Sequence, residues 1–83
     1  MTREQKKLLF DIARWRSNEF YNEMEEPWTA TNYYVSNQCS AKIRELEKEY
    51  TEQYGALPEW KYIDDVLKTL RELKEELERE DEV

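Results

Sequence analysis

The chain reads as an all-α protein, a small antiparallel three-helix bundle running up-down-up. Three observations predict this. Apolar residues recur at steps of three and four in three separate stretches. One glycine and two prolines leave little room for turns. Pro27 and the Gly55–Pro58 stretch fall between the periodic stretches, where turns would stand. The 83 residues make one domain. A chain of this size buries roughly 60–65% of the surface its unfolded form exposes, so the core is small.

The first helix is expected over about residues 3–24. Thr2, with Gln5 three residues on, has the spacing of a capping box. Leu8, Leu9, Ile12 and Trp15 form one stripe, and Phe10, Ala13, Ser17, Phe20, Tyr21 and Met24 a second. Together they cover about 240° of the helix, wider than a surface helix of a bundle needs. Either both other helices pack on this one, or one side faces a partner. Pro27 ends it, since the residue before a proline avoids the helical region.

The second helix, about residues 32–54, carries the clearest pattern. Thr29, Thr31 or Asn32 can cap it. Val35, Cys39, Ile43, Leu46, Tyr50 and Tyr54 lie within about 100° of one another, and Gly55 stands where such a helix stops. The third helix is expected over about 58–78, with Pro58 in its first turn. Ile63, Val66, Leu70, Leu73 and Leu77 make two heptads of a packing seam, with Trp60 and Leu67 beside it. The acids that follow oppose the helix dipole, so an acidic tail, 79–83, is expected to fray.

Charge and residue types narrow the function. The net charge of −7 disfavours nucleic-acid backbones and anionic membranes as partners and suits a basic surface. The lone Cys39 excludes an internal disulfide, and no apolar run resembles a signal peptide or a membrane span. A cytoplasmic protein is expected. Histidine is absent, and Cys39 falls in the apolar stripe as a packed small side chain. The acid pairs Glu25-Glu26, Asp64-Asp65 and Glu75-Glu76 point about 100° apart on a helix and clamp nothing by themselves. No phosphate loop is possible with one glycine. Neither catalysis nor a cofactor or metal is expected.

Binding is expected instead. Eleven aromatic residues exceed what one stripe per helix can hide. Tyr21, Trp28, Tyr33 and Tyr34 fall in the first turn or off the main stripes and are the candidate centre of a protein-binding patch. Glu72, Glu75, Glu76 and Glu78 give a second candidate surface, an acidic helix. The reading is a small acidic protein that binds another protein as a regulator, inhibitor or assembly subunit. The alternative is an acidic mimic of nucleic acid, similar in charge and size to the small phage-encoded inhibitors of host defence proteins. Direct nucleic-acid binding through Arg3, Lys7 and Arg14 is the weaker reading, because pairing with the acidic third helix also accounts for such a strip. Self-association is a further expectation, from the wide apolar arc of the first helix.

Overall fold

The computed structural model describes residues 1–81. It contains three helices, α1 (Arg3–Glu23), α2 (Ala30–Tyr54) and α3 (Ile63–Asp81), and no strand among the described residues. None of these helices is long and apolar enough to cross a membrane.

Local chemistry sets most of the boundaries. The Thr2 hydroxyl accepts from the backbone N–H of Gln5 at 3.1 Å and starts α1. The Gln5 side chain is used elsewhere, donating to the Tyr50 hydroxyl at 3.0 Å and tying α1 to α2. Thr29 is the residue that caps α2. Its backbone N–H and its hydroxyl both donate to Asn32 Oδ1, at 3.0 and 2.9 Å. Gly55 closes α2 with φ +92°, a backbone region that L side chains rarely adopt, while its N–H donates to Thr51 O.

α1 is the central element. α2 and α3 both pack on it, and among the described residues they do not approach each other within 8 Å at Cα. The core joins Leu9 and Ile12 of α1 to Leu46 and Tyr50 of α2 and Leu73 of α3. Cys39, Ile43, Ala13 and Val66 extend the buried set. The wide apolar arc of α1 is therefore covered within the chain, except at Tyr21 and Met24, which stay exposed.

The three-helix bundle stands, but the direction of α3 differs from up-down-up. α2 runs antiparallel to α1: Gln5 meets Tyr50, Glu19 meets Ser40 and Asn22 meets Asn32. α3 also runs antiparallel to α1: Arg3 meets Glu80 and Asp81, Lys6 meets Glu76 and Glu80, and Phe20 lies beside Ile63 and Val66. α2 and α3 are consequently parallel to each other. The connection 55–62 must climb back along α1. Eight extended residues reach about 26 Å, which matches the roughly 28 Å length of a 19-residue helix.

This crossover explains the misplaced start of α3. Residues 58–62 are not helical; Trp60, expected in the first turn of the third helix, instead packs against the core from the connection, together with Leu57. α3 begins at Ile63, where Asp65 reaches back to accept from the backbone N–H groups of Lys61 and Tyr62 at 3.2 and 3.3 Å. Trp60 Nε1 donates to Thr69 Oγ1 at 3.0 Å. The Arg16 guanidinium lies 5.4 Å from the Trp60 ring centroid and also bonds Glu47. One arginine thus links α1, α2, the crossover and, through Trp60, α3.

The electrostatic reason for α3's direction lies at the other end. Cations in the first turn of α1 and acids in the last turns of α3 each oppose their own helix dipole. Set side by side they neutralise one another, and α3 stays helical through Asp81 rather than fraying from residue 79. The expectation for 82–83 lies outside the described residues. Up-down-up would instead place those acids beside Glu19 and Glu23, where α1 has no cation.

The Lys6–Glu80 pair carries a pH prediction. The hydrogen bond from Lys6 (2.6 Å), then the charge of Lys6 and the Arg3 guanidinium, hold the Glu80 carboxyl below its ordinary value of 4.5 against partial desolvation. The same bond, with the charges of Glu80 and Glu76, raises Lys6 above 10.5 against its own desolvation. A lowered carboxyl stabilises fully above its unfolded value, and that contribution is lost as pH falls through the folded one. A raised ammonium stabilises fully below 10.5, and its contribution is lost as pH rises through the folded value. Amide protection factors at 77–81, corrected for intrinsic exchange, should fall at both extremes, and Glu80→Gln should reduce the acid-side loss, with Glu76 and Asp81 accounting for the remainder. A Glu80 carboxyl NMR midpoint at or above 4.5 would count against the clamp.

Candidate functional site

The turn between α1 and α2 is built on a buried polar node. Asn22 Nδ2 donates to the backbone carbonyl of Asn32 at 2.9 Å. Asn32 Nδ2 donates to Asn22 Oδ1 at 3.0 Å and to Glu25 Oε2 at 2.7 Å. With both Thr29 donors on Asn32 Oδ1, these bonds fasten the end of α1, the turn and the start of α2. Among the described residues no buried side-chain polar atom lacks a partner. The node is what lets a turn containing Pro27 hold a defined shape without apolar burial.

The aromatic residues named from the sequence surround this node but do not form one patch. Trp28 and Tyr33 come together, with ring centroids 6.1 Å apart and planes at 87°, an edge-to-face pair. They line a groove of about 440 Å³ with Glu23, Glu25 and Glu26. Tyr21 lines a different groove, with Asn18, Thr31 and Val35, and pairs edge-to-face with Phe20. Tyr34 projects from the outer side of α2, its hydroxyl accepting from Gln38 Nε2 at 2.9 Å. All four are largely open to solvent: Trp28 is 47% exposed, Tyr21 53%, Tyr33 61% and Tyr34 63%. Tyr62, also exposed, stands at the same end in a smaller groove that shares Glu23 with the Trp28 groove.

Charge is distributed in a way the apolar pattern did not suggest. From Ser17 to Ala41 the chain carries Glu19, Glu23, Glu25 and Glu26 and neither lysine nor arginine. In the apolar pattern only the adjacent Glu25-Glu26 pair stands out among these acids. The signal that finds them is the cation-free run itself.

The α3 candidates lie far from this end. Glu72, Glu75, Glu76 and Glu78 are exposed. Glu76 lies 3.7 Å from Lys6, and Glu75 lies 3.8 Å from Arg79. The basic residues of α1 are engaged as well: Arg3 and Lys6 pair with α3, Arg16 with Glu47, and Arg14 lies 3.9 Å from Asp11. Only Lys7 of the five stands outside an ion pair among the described residues.

Cys39 is buried in the α1–α2 interface. Burial pushes its thiol above 9.0, and the Glu19 and Glu23 carboxylates add to the shift. A thiol so placed is a poor nucleophile near neutral pH. Among the described residues no group of three or more His, Cys, Asp or Glu side chains is placed to hold a metal ion. Compared with known proteins, the chain matches no family model, no curated protein and no solved structure.

Proposed function

We propose that the protein works by binding another protein through the aromatic, acid-rich end made by the α1–α2 turn, as a regulator, inhibitor or assembly subunit. One observation carries the reading: Trp28, Tyr33, Tyr34 and Tyr21 stand open to solvent around a turn that the Asn22–Asn32 hydrogen bonds fasten. Exposed aromatic residues supply large contact area with few rotatable bonds, and they dominate binding hot spots. The cation-free run from Ser17 to Ala41 suits a partner with a basic surface and speeds encounter with it. Such a partner and a cytoplasmic setting form one consistent reading.

The test starts with affinity capture at low and high salt, followed by dissociation constants for the purified partner. Trp28→Ala or Tyr33→Ala should weaken binding by more than about 1–2 kcal/mol, roughly tenfold, with modest salt dependence. A dissociation constant unchanged by both substitutions would sink the reading.

A second reading is supported by the exposure of Glu72, Glu75, Glu76 and Glu78, which would stand in for phosphates in a nucleic-acid channel. Neutralising all four should then abolish inhibition, and added salt should weaken it strongly. The pairs Glu76–Lys6 and Glu75–Arg79 already neutralise part of that surface, and for this reason we prefer the aromatic end. Self-association has less support than the sequence suggested, since α2 and α3 cover the arc of α1 that motivated it.

A further inference from the structure

We propose that the groove between Trp28, Tyr33 and the Glu23, Glu25 and Glu26 carboxylates receives an arginine side chain from a basic segment of the partner. The inference rests on the protein-binding reading above and names the chemistry recognised there.

The first argument is the lining. Two aromatic rings meet edge-to-face at 6.1 Å, three carboxylates stand around them, and the groove of about 440 Å³ has room for a long side chain. Aromatic faces attract cations through the ring quadrupole. Carboxylates accept the forked N–H groups of a guanidinium in pairs. An arginine satisfies both at once, because its planar head stacks and bonds in different directions; a lysine ammonium offers only a point charge.

The second argument is complementarity within the chain. Among the described residues none of the three carboxylates forms an ion pair, and the sequence from Ser17 to Ala41 supplies no cation to do so. Lys61 lines the neighbouring groove that shares Glu23. The hydrogen bonds that reach the lining acids come from neutral donors: Asn32 to Glu25 at 2.7 Å and Ser36 to Glu23 at 3.4 Å.

The third argument is an internal counterpart. Arg16 lies over the Trp60 ring while bonding Glu47, which is the same three-part combination of indole, carboxylate and guanidinium. The turn repeats the indole and the carboxylates and leaves the guanidinium to come from outside.

The test is a titration of the full chain, followed by amide and indole NMR, with three eight-residue peptides: alternating Arg-Gly, alternating Lys-Gly, and an uncharged Tyr-Ser peptide. The Arg-Gly peptide should shift the Trp28 indole and the amides of Glu23, Glu26, Tyr33 and Asn37. It should bind more tightly than the Lys-Gly peptide. Trp28→Leu should weaken it about fivefold or more, and so should the double variant Glu23→Gln with Glu26→Gln. The double variant leaves the Glu25–Asn32 bond intact and therefore the fold of the turn. Glu72→Gln with Glu75→Gln should change nothing. Shifts that map to α3 and ignore the turn variants would overturn the proposal, as would equal affinity for the lysine peptide. If the turn answers only the Tyr-Ser peptide, the protein-binding reading survives and arginine recognition falls. If no peptide reaches the turn, both fall.

Discussion

Ile12→Ala should leave the protein largely unfolded, or within about 1 kcal/mol of unfolding, at 25 °C. Ile12 is 0% exposed and sits where the central helix meets Leu46 and Tyr50 on one side and Leu73 on the other. Truncating a buried isoleucine costs about 2–5 kcal/mol, combining lost transfer energy with the cavity left behind. A domain of this size rarely holds more than about 3–5 kcal/mol in total. The upper half of that range is expected, because Ile12 is fully enclosed and a cavity there would be lined by core side chains of all three helices. Urea titration followed by far-ultraviolet circular dichroism reads the change. Ile12→Val should cost only about 0.5–1.5 kcal/mol and calibrates the site. A loss below about 1 kcal/mol for the alanine variant would show that α1 is not the hub of the core.

Asn32→Ala is expected to cost about 2–3 kcal/mol, more than the loss of an ordinary cap. Its side chain accepts from Thr29 twice and donates to Asn22 and Glu25. Removing it strands a buried Asn22 oxygen, at about 1–3 kcal/mol, and deletes the cap partner of Thr29, worth about 1 kcal/mol. For a chain of this length the melting point should fall by roughly 10–20 °C. Asn22→Ala with Asn32→Ala together should cost less than the sum of the two, since they share bonds. Amide exchange should quicken first at residues 29–33, and the Trp28 indole signal should broaden. A stable variant with an unchanged Trp28 signal would mean that the node does not shape the binding end.

These two residues mark what the sequence makes legible. Ile12 belongs to an apolar stripe, and stripes are readable because burial imposes a period. The stripe of α2 is the buried Cys39, Ile43, Leu46 and Tyr50, and of the two alternatives the width of α1 leaves open, packing by both other helices is the one observed. Asn32 is one of three cap candidates in the sequence and Asn22 carries no signal there, because a buried polar pair leaves no periodic trace. The direction of α3 is not legible either, because Pro58 fits a helix start as well as an extended strap. The deciding signals were chemical: acids at Asp64 and Asp65 suit a first turn, and acids at the end of α3 need the cations of α1. At the candidate site, Trp28 and Tyr33 lie together as an edge-to-face pair. Tyr21 lines a different groove and Tyr34 projects from the outer side of α2, a separation that spacing along the chain does not encode.

The parallel placement of α2 and α3 has a practical consequence for how the molecule is tethered. Arg3 bonds Glu80 and Asp81, so both described ends of the chain leave from one pole of a body 44 Å long. The Trp28 turn forms the opposite pole, about 30 Å away along α1. A tag, dye or surface linkage attached at either end therefore points the turn outward, and immobilised and fused forms should present the same face to a partner.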